Sequence, residues 1–173
     1  MKEDVKKMYC ISPVLYASLD PYIQIAQENK PTEKKEHTIE KLLIELNSAD
    51  TASLDKLKGI GPAFAKRIIK YRDMLGGYAH TEQLLEVYGF DTAKYNALSK
   101  NIFVDATQIK KLNINTATSD EMKKHPYLKF NLANLIVNYR KMHGNYKTAD
   151  EIKKIDLVDE KLFVKLIPYV TVE

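Results

Sequence analysis

Apolar positions recur at helical spacing through most of the chain. Leu54 and Leu57 share one helical face, and Ala65, Ile68 and Ile69 begin a second stripe. Spacing of three and four predicts amphipathic helices rather than strands. Between the stripes stands Lys58-Gly59-Ile60-Gly61-Pro62. Glycine reaches positive φ without steric cost. Proline is best tolerated in the first turn of a helix, where its missing N–H would be unpaired anyway. Leu54 to Tyr71 therefore reads as helix, tight hairpin, helix. Ser48 or Asn47 is placed to cap the first helix, about Ala49 to Lys58. The second, about Pro62 to Leu75, stops at Gly76-Gly77. Thr81 then reads as the cap of a short helix, Glu82 to Val87. Tyr88-Gly89-Phe90 reads as a second, degenerate hairpin with one glycine, and Asp91 as the cap of a helix to about Ser99. Ile102-Phe103-Val104 reads as an extended tail.

Sliding the chain by 68 positions lays a second copy of this pattern on the first without a gap. Leu46-Asn47-Ser48-Ala49 falls on Ile114-Asn115-Thr116-Ala117. Tyr71, Arg72, Gly76 and Tyr78 fall on Tyr139, Arg140, Gly144 and Tyr146. The second copy predicts a helix to about Lys124 capped by Thr116 or Asn115. It then predicts a hairpin at Tyr127-Leu128-Lys129, a helix from about Asn131 to His143, a short helix Ala149 to Lys154 after Thr148, and a last helix, about Asp159 to Leu166. A shift of 79 lays Met8-Tyr9-Cys10-Ile11 on Val87-Tyr88-Gly89-Phe90. Residues 1–25 thus read as the back half of an earlier repeat, and the polypeptide as a piece of a longer chain. Residues 26–43 read as a polar linker, 44–105 as the repeat with the intact hairpin, and 106–173 as the repeat with a degenerate one. The fold class expected is all-α.

Composition narrows the function. The formal net charge is only +4 over 173 residues. Residues 44–105 carry eight basic and eight acidic side chains, against twelve and eight in 106–173. Any grip on a polyanion must then come from a local cluster rather than a whole-molecule field. The single Cys10 excludes an internal disulfide framework and a multi-cysteine metal site. No apolar run approaches the length of a membrane helix. No Ser/His/Asp arrangement, metal-ligand spacing or nucleotide-binding glycine loop is present, so the expectation is a protein that is not an enzyme.

The candidate chemistry lies at the first hairpin. Small residues let a phosphodiester approach backbone amides closely, and a helix N-terminus favours an anion there. Gly59, Ile60 and Gly61 are the expected amide donors, with Pro62 and Ala63 opening the helix. Lys58, Lys66, Arg67 and Lys70 are the expected cations. In the second copy Tyr127 and Lys129 replace the two glycines, which disfavours close backbone approach. That copy reads as a structural or protein-contacting one, with Lys123, Lys124 and Lys129 able to attract phosphate only as point charges. His125 reads as a packed or capping residue rather than a ligand. Tyr71-Arg72 and Tyr139-Arg140 read as fold-specifying pairs.

The pattern Leu54 to Ile68, with Gly59, Ile60, Gly61, Pro62, Ala65 and Ile68 at its key positions, resembles the helix-hairpin-helix DNA-binding motif. Leu46 to Asp105 resembles the DNA-binding domain of bacterial competence DNA receptors of the ComEA type. The resemblance implies tandem SAM domain-like units of five short helices each. It also implies sequence-independent binding of double-stranded DNA through hairpin amides and nearby cations. It implies no cofactor, although related families sometimes hold a monovalent cation at the hairpin carbonyls, which leaves room for one at the first hairpin. An apolar anchor upstream, with the DNA-binding part outside the cytoplasm, is the family plan. The alternative expectation is a protein-interaction or envelope-assembly module, contacting other subunits, that keeps this fold with little DNA binding.

Overall fold

The computed structural model describes residues 43–173 and the single position Val14. The half-repeat expected at residues 1–25 and nearly all of the linker expected at 26–43 lie outside the described residues. Lys41–Glu173 forms one compact unit. It is mostly helical and built from two tandem copies of one plan.

In the first copy, strand β1 (Ile44–Glu45) leads into helix α1 (Thr51–Asp55). The cap is Asp50, whose Oδ1 accepts from the Ser53 amide at 2.7 Å. Neither Ser48 nor Asn47 caps it. Asn47 instead clasps distant backbone: its Nδ2 donates to the carbonyls of Tyr78 and Asp105, both at 3.0 Å. Its Oδ1 accepts from the Tyr78 amide at 2.6 Å. Helix α2 (Pro62–Leu75) follows and buries Ala65, Ile68 and Leu75. Gly76, at φ +82°, ends it in the left-handed region. The expected short helix is a 3₁₀ segment, Thr81–Glu86, with His80 and not Thr81 at its cap position. Its start is secured from within, because Gln83 Oε1 accepts from the amides of Ala79 and His80. Helix α3 (Thr92–Leu98) is capped by Asp91, as its sequence predicts. The extended tail is strand β2 (Ile102–Phe103), paired in parallel with β1.

The second copy repeats these devices 68 residues on. Strand β3 (Leu112–Asn113) pairs in parallel with β4 (Val170–Thr171). Asn115 clasps the carbonyls of Tyr146 and Val172 and the amide of Tyr146. Thr118, not Thr116 or Asn115, caps helix α4 (Ser119–Met122), with Glu121 reaching back to the Thr118 amide. Helix α5 (Phe130–His143) and a 3₁₀ segment (Ala149–Lys154) lead to helix α6 (Glu160–Leu166), capped by Asp159.

Tyrosines and arginines at matching places in the two copies hold the fold. Tyr78 donates to the Ile68 carbonyl at 2.9 Å, and Tyr146 to that of Ile136 at 3.1 Å. Arg72 Nη1 donates to the Ala49 carbonyl at 2.7 Å, and Arg140 Nη1 to that of Ile114 at 2.8 Å. These are the chain segments flanking β1 and β3, so each arginine ties its long helix to the start of its own repeat.

Two apolar cores result, one per copy, and they meet. Tyr169 belongs to the second copy by sequence but packs in the first core, and Tyr127 contacts both.

Candidate nucleic-acid interface

Each copy has two corners between helical segments, and all four close the same way. The amide of Ile60 donates to the Leu57 carbonyl at 3.0 Å, Phe90 to Val87 at 2.9 Å, Leu128 to His125 at 3.1 Å and Val158 to Ile155 at 2.8 Å. The third residue distinguishes them. It is Gly59 at φ +86° and Gly89 at φ +80° in the first copy. In the second it is Tyr127 and Leu157, neither at positive φ. Positive φ at that place is the type II arrangement, in which the central peptide is flipped relative to type I. The two copies therefore present the middle amide of the turn differently.

At the first corner the amides of Gly59 and Gly61 have no acceptor among the described residues. A Cβ built at either glycine meets nothing within 4 Å, so the surface is open. Pro62 and Ala63 are exposed beside it. The cap residue of α2 is Gly61, which brings no side chain to the helix N-terminus. That end keeps its unpaired donors and its positive dipole.

Two expectations need correction here. Gly61 lies at φ −96°, ψ 177°, an extended conformation open to any residue, so it is not needed for positive φ. Its value is the absence of a side chain. The Ile60 amide is already engaged by Leu57 and its side chain is buried, so Ile60 anchors the corner instead of offering a donor.

The other three corners lack this combination. At the second, the Asp91 carboxylate occupies the N-terminus of α3, accepting from the Lys94 amide at 2.8 Å. Asp159 does the same for α6, accepting from Leu162 at 2.7 Å. A helix end already holding a carboxylate repels a phosphate. At the third, the Tyr127 amide donates to His125 Nδ1 at 3.2 Å, and its ring turns into the molecule. Lys129 holds φ +21° there, strained backbone where the first copy has glycine. The second corner, expected to be degenerate with one glycine, closes as the first does, with Gly89 in the place of Gly59 and Asp91 in the place of Gly61.

The cations divide. Lys58 is exposed next to the open corner. Arg67 turns to the second corner, where its Nη1 donates to the Tyr88 carbonyl at 3.3 Å and its guanidinium lies 5.3 Å from the Phe64 ring and 5.4 Å from the Tyr88 ring. Lys66 and Lys70 line a cleft with Lys123 and Lys124. Arg72 is spent on the fold. His125 is buried, as its sequence context suggests. Its burial pulls its pKa down to about 4, against a small opposing effect of the Leu75 carbonyl.

Among the described residues no helix is long and apolar enough to cross a membrane. No three His, Cys, Asp or Glu side chains among them converge as a metal site.

Tandem helical corners with one glycine-lined, uncapped helix start define the class: a helix-hairpin-helix protein, of a kind associated with nucleic-acid binding. The helix-hairpin-helix motif family matches residues 40–103 and 107–171, and the chain belongs to it. Curated relatives are vertebrate proteins named endonuclease/exonuclease/phosphatase family domain-containing protein 1. The Danio rerio protein is 26% identical over 148 residues, 75% of this chain and 27% of that protein. The Xenopus laevis protein is 24% identical over 144 residues, 71% and 26% respectively. The Homo sapiens protein is 25% identical over 142 residues, 65% and 25%. The chain thus spans about a quarter of the length of these relatives. None of the three is a competence receptor or bacterial. No solved structure matches the chain.

Proposed function

We propose that this chain binds double-stranded DNA without regard to sequence, using the corner Lys58–Ala63 as a backbone clamp on a phosphate. The supporting observation is the pair of amides at Gly59 and Gly61, free of internal acceptors and open to the surface where α2 begins. Backbone amides and lysines contact phosphate and sugar, which carry no sequence information directly. This is the mode that competence-type receptors imply. It makes the chain a binding module without catalysis of its own. In a longer protein built like the vertebrate relatives, such a module would hold DNA for a neighbouring domain.

The test is a titration with duplexes of unrelated sequence at two salt concentrations. Similar affinities that fall steeply with salt support the reading. Weakening in Gly61→Val, with the fold retained, assigns the contact to the corner. Absence of binding at low salt defeats it.

A second reading applies to the second copy alone. Its corners offer no open amides like those of the first, while Phe130, beside one of them, and Leu157, within the other, are 61% and 51% exposed. These suit a protein contact, as the interaction-module alternative holds.

A further inference from the structure

The four lysines of the inter-repeat cleft come from different copies. Lys66 and Lys70 stand one turn apart on α2, and Lys123 and Lys124 follow α4. The cleft is open, about 720 Å³, with Ile69 and Met74 among its apolar lining. The one carboxylate lining it among the described residues, Asp73, is paired with Arg72 at 3.3 Å. Lys123 pairs with Asp120 on its own helix and lies 5.7 Å from the Phe130 ring. Lys66, Lys70 and Lys124 make no ion pair among the described residues.

Like charges gathered on two walls of a cleft repel one another, and nothing in the fold requires them there. The core residues of α2 are Ala65, Ile68 and Leu75, on another face. The walls are also fixed. Tyr127 and Lys165 of the second copy bond Glu86 of the first at 2.7 and 2.6 Å, and Tyr169 bonds Gln83. Lysines on two walls that the fold holds together gather positive charge for an extended anion.

We infer that this cleft is a second phosphodiester site, taking the backbone of the same DNA that the open corner grips. The inference rests on the reading above and extends it to the second copy, whose contribution is then charge rather than amides. Position supports continuity. Pro62 opens α2 at the corner, and Lys66 and Lys70 lie four and eight residues further on. At 1.5 Å per residue this places the cleft within about 12 Å of the corner along the helix. A strand leaving Gly59–Gly61 along α2 passes Lys66 and Lys70 and reaches Lys124. Lysines are suited to this as mobile point charges, where the corner supplies directional donors.

The test uses the full chain and a duplex of about 20 base pairs, titrated between about 50 and 200 mM salt. The variants are Lys123→Ala/Lys124→Ala, Lys124→Glu alone, and Gly61→Val. Both lysines are exposed, so the fold is expected to persist, and circular dichroism checks it. Loss of two phosphate contacts is expected to flatten the log–log salt slope by about two and weaken low-salt binding roughly tenfold or more. Lys124→Glu is expected to weaken binding at least as much as removal of its charge. If the lysine variants bind with unchanged affinity and slope while Gly61→Val weakens binding, the cleft site is overturned and the corner reading stands. If the lysine variants weaken binding and Gly61→Val does not, the cleft stands and the corner reading fails. If the wild-type chain does not bind at low salt, both fall.

Discussion

Tyr127 Oη donates to Glu86 Oε2 across 2.7 Å, joining the corner of the second repeat to the 3₁₀ segment of the first. The same carboxylate accepts from Tyr71 at 2.6 Å and from Lys165 at 2.6 Å. Burial disfavours ionised Glu86, but these three donors together outweigh it and hold the carboxyl below its usual range. Burial first, and then this carboxylate, push the Tyr127 phenol well above its own usual range. It therefore remains a donor throughout the neutral region. The position that is glycine in the first copy has become the anchor between copies in the second. At one corner the third residue is glycine, with open space around it; at its counterpart it is tyrosine, whose ring packs against both cores.

The Tyr127→Phe variant isolates this anchor. The ring stays packed against both cores, while the donation to Glu86 and the bond from Gln83 at 2.9 Å are lost. The expected cost is about 1–2 kcal/mol, since one bond is to a charged acceptor and the Gln83 amide loses a partner. Urea unfolding measures it. A cost near zero would mean that packing alone holds the copies together.

The two glycines of the open corner are expected to respond differently to valine. Gly59 sits at φ +86°, so a β-branched residue there is strained by about 1–3 kcal/mol even with free space around it. Gly61 is extended and open, so Gly61→Val costs about 1 kcal/mol or less, the difference between the two residues as helix caps. Unfolding midpoints of the two variants check the contrast. It makes Gly61→Val the cleaner probe of DNA contact, because its side chain blocks approach without distorting the turn.

The first corner was legible in sequence because its requirements are local: a glycine pattern, a proline at the helix start and an apolar frame. The 68-residue repeat was legible for the same reason. What was hidden depends on residues far apart in the chain. Asn47 has the composition of a cap and stands where a cap is plausible, yet its amide reaches Tyr78 and Asp105. The strands are two residues long, too short for any periodicity, and exist only as parallel pairs. Lys66 and Lys70 share a helical face in sequence, but only the packing of the copies brings Lys123 and Lys124 opposite them.

The asparagine clasps make a prediction that separates geometry from polarity. Asn47 satisfies two carbonyls and one amide at once, as does Asn115 in its own copy. Asn47→Ala leaves those backbone groups without partners and is expected to cost about 3 kcal/mol. Asn47→Asp is close in shape but cannot donate to the Tyr78 and Asp105 carbonyls, so it is expected to cost at least as much. The Asn115 variants are expected to match within about 1 kcal/mol, given the same geometry. Thermal or urea unfolding of the four variants tests this. A tolerated Asn47→Asp would show that the donated bonds contribute little.

His125 predicts a pH dependence on the acid side. It is buried at the inter-repeat contact with its ring centroid 4.9 Å from that of Tyr169. Its Nδ1 accepts from the Tyr127 amide, which places the proton of the neutral ring on Nε2, an atom with no hydrogen-bond partner among the described residues. Burial lowers its pKa from 6.5 to about 4, so the unfolded chain binds a proton that the folded chain refuses. Stability from this group is full above pH 6.5, declines as the pH falls, and is lost below about 4. The whole effect is on the order of 3 kcal/mol. Most carboxylates stay ionised down to about pH 5, so the interval from about 6.5 to 5 reports mainly on histidine. Urea midpoints across that interval are expected to fall in the wild-type chain and to fall less in His125→Asn, whose side-chain oxygen can still accept from the Tyr127 amide. Equal slopes would assign the acid sensitivity elsewhere.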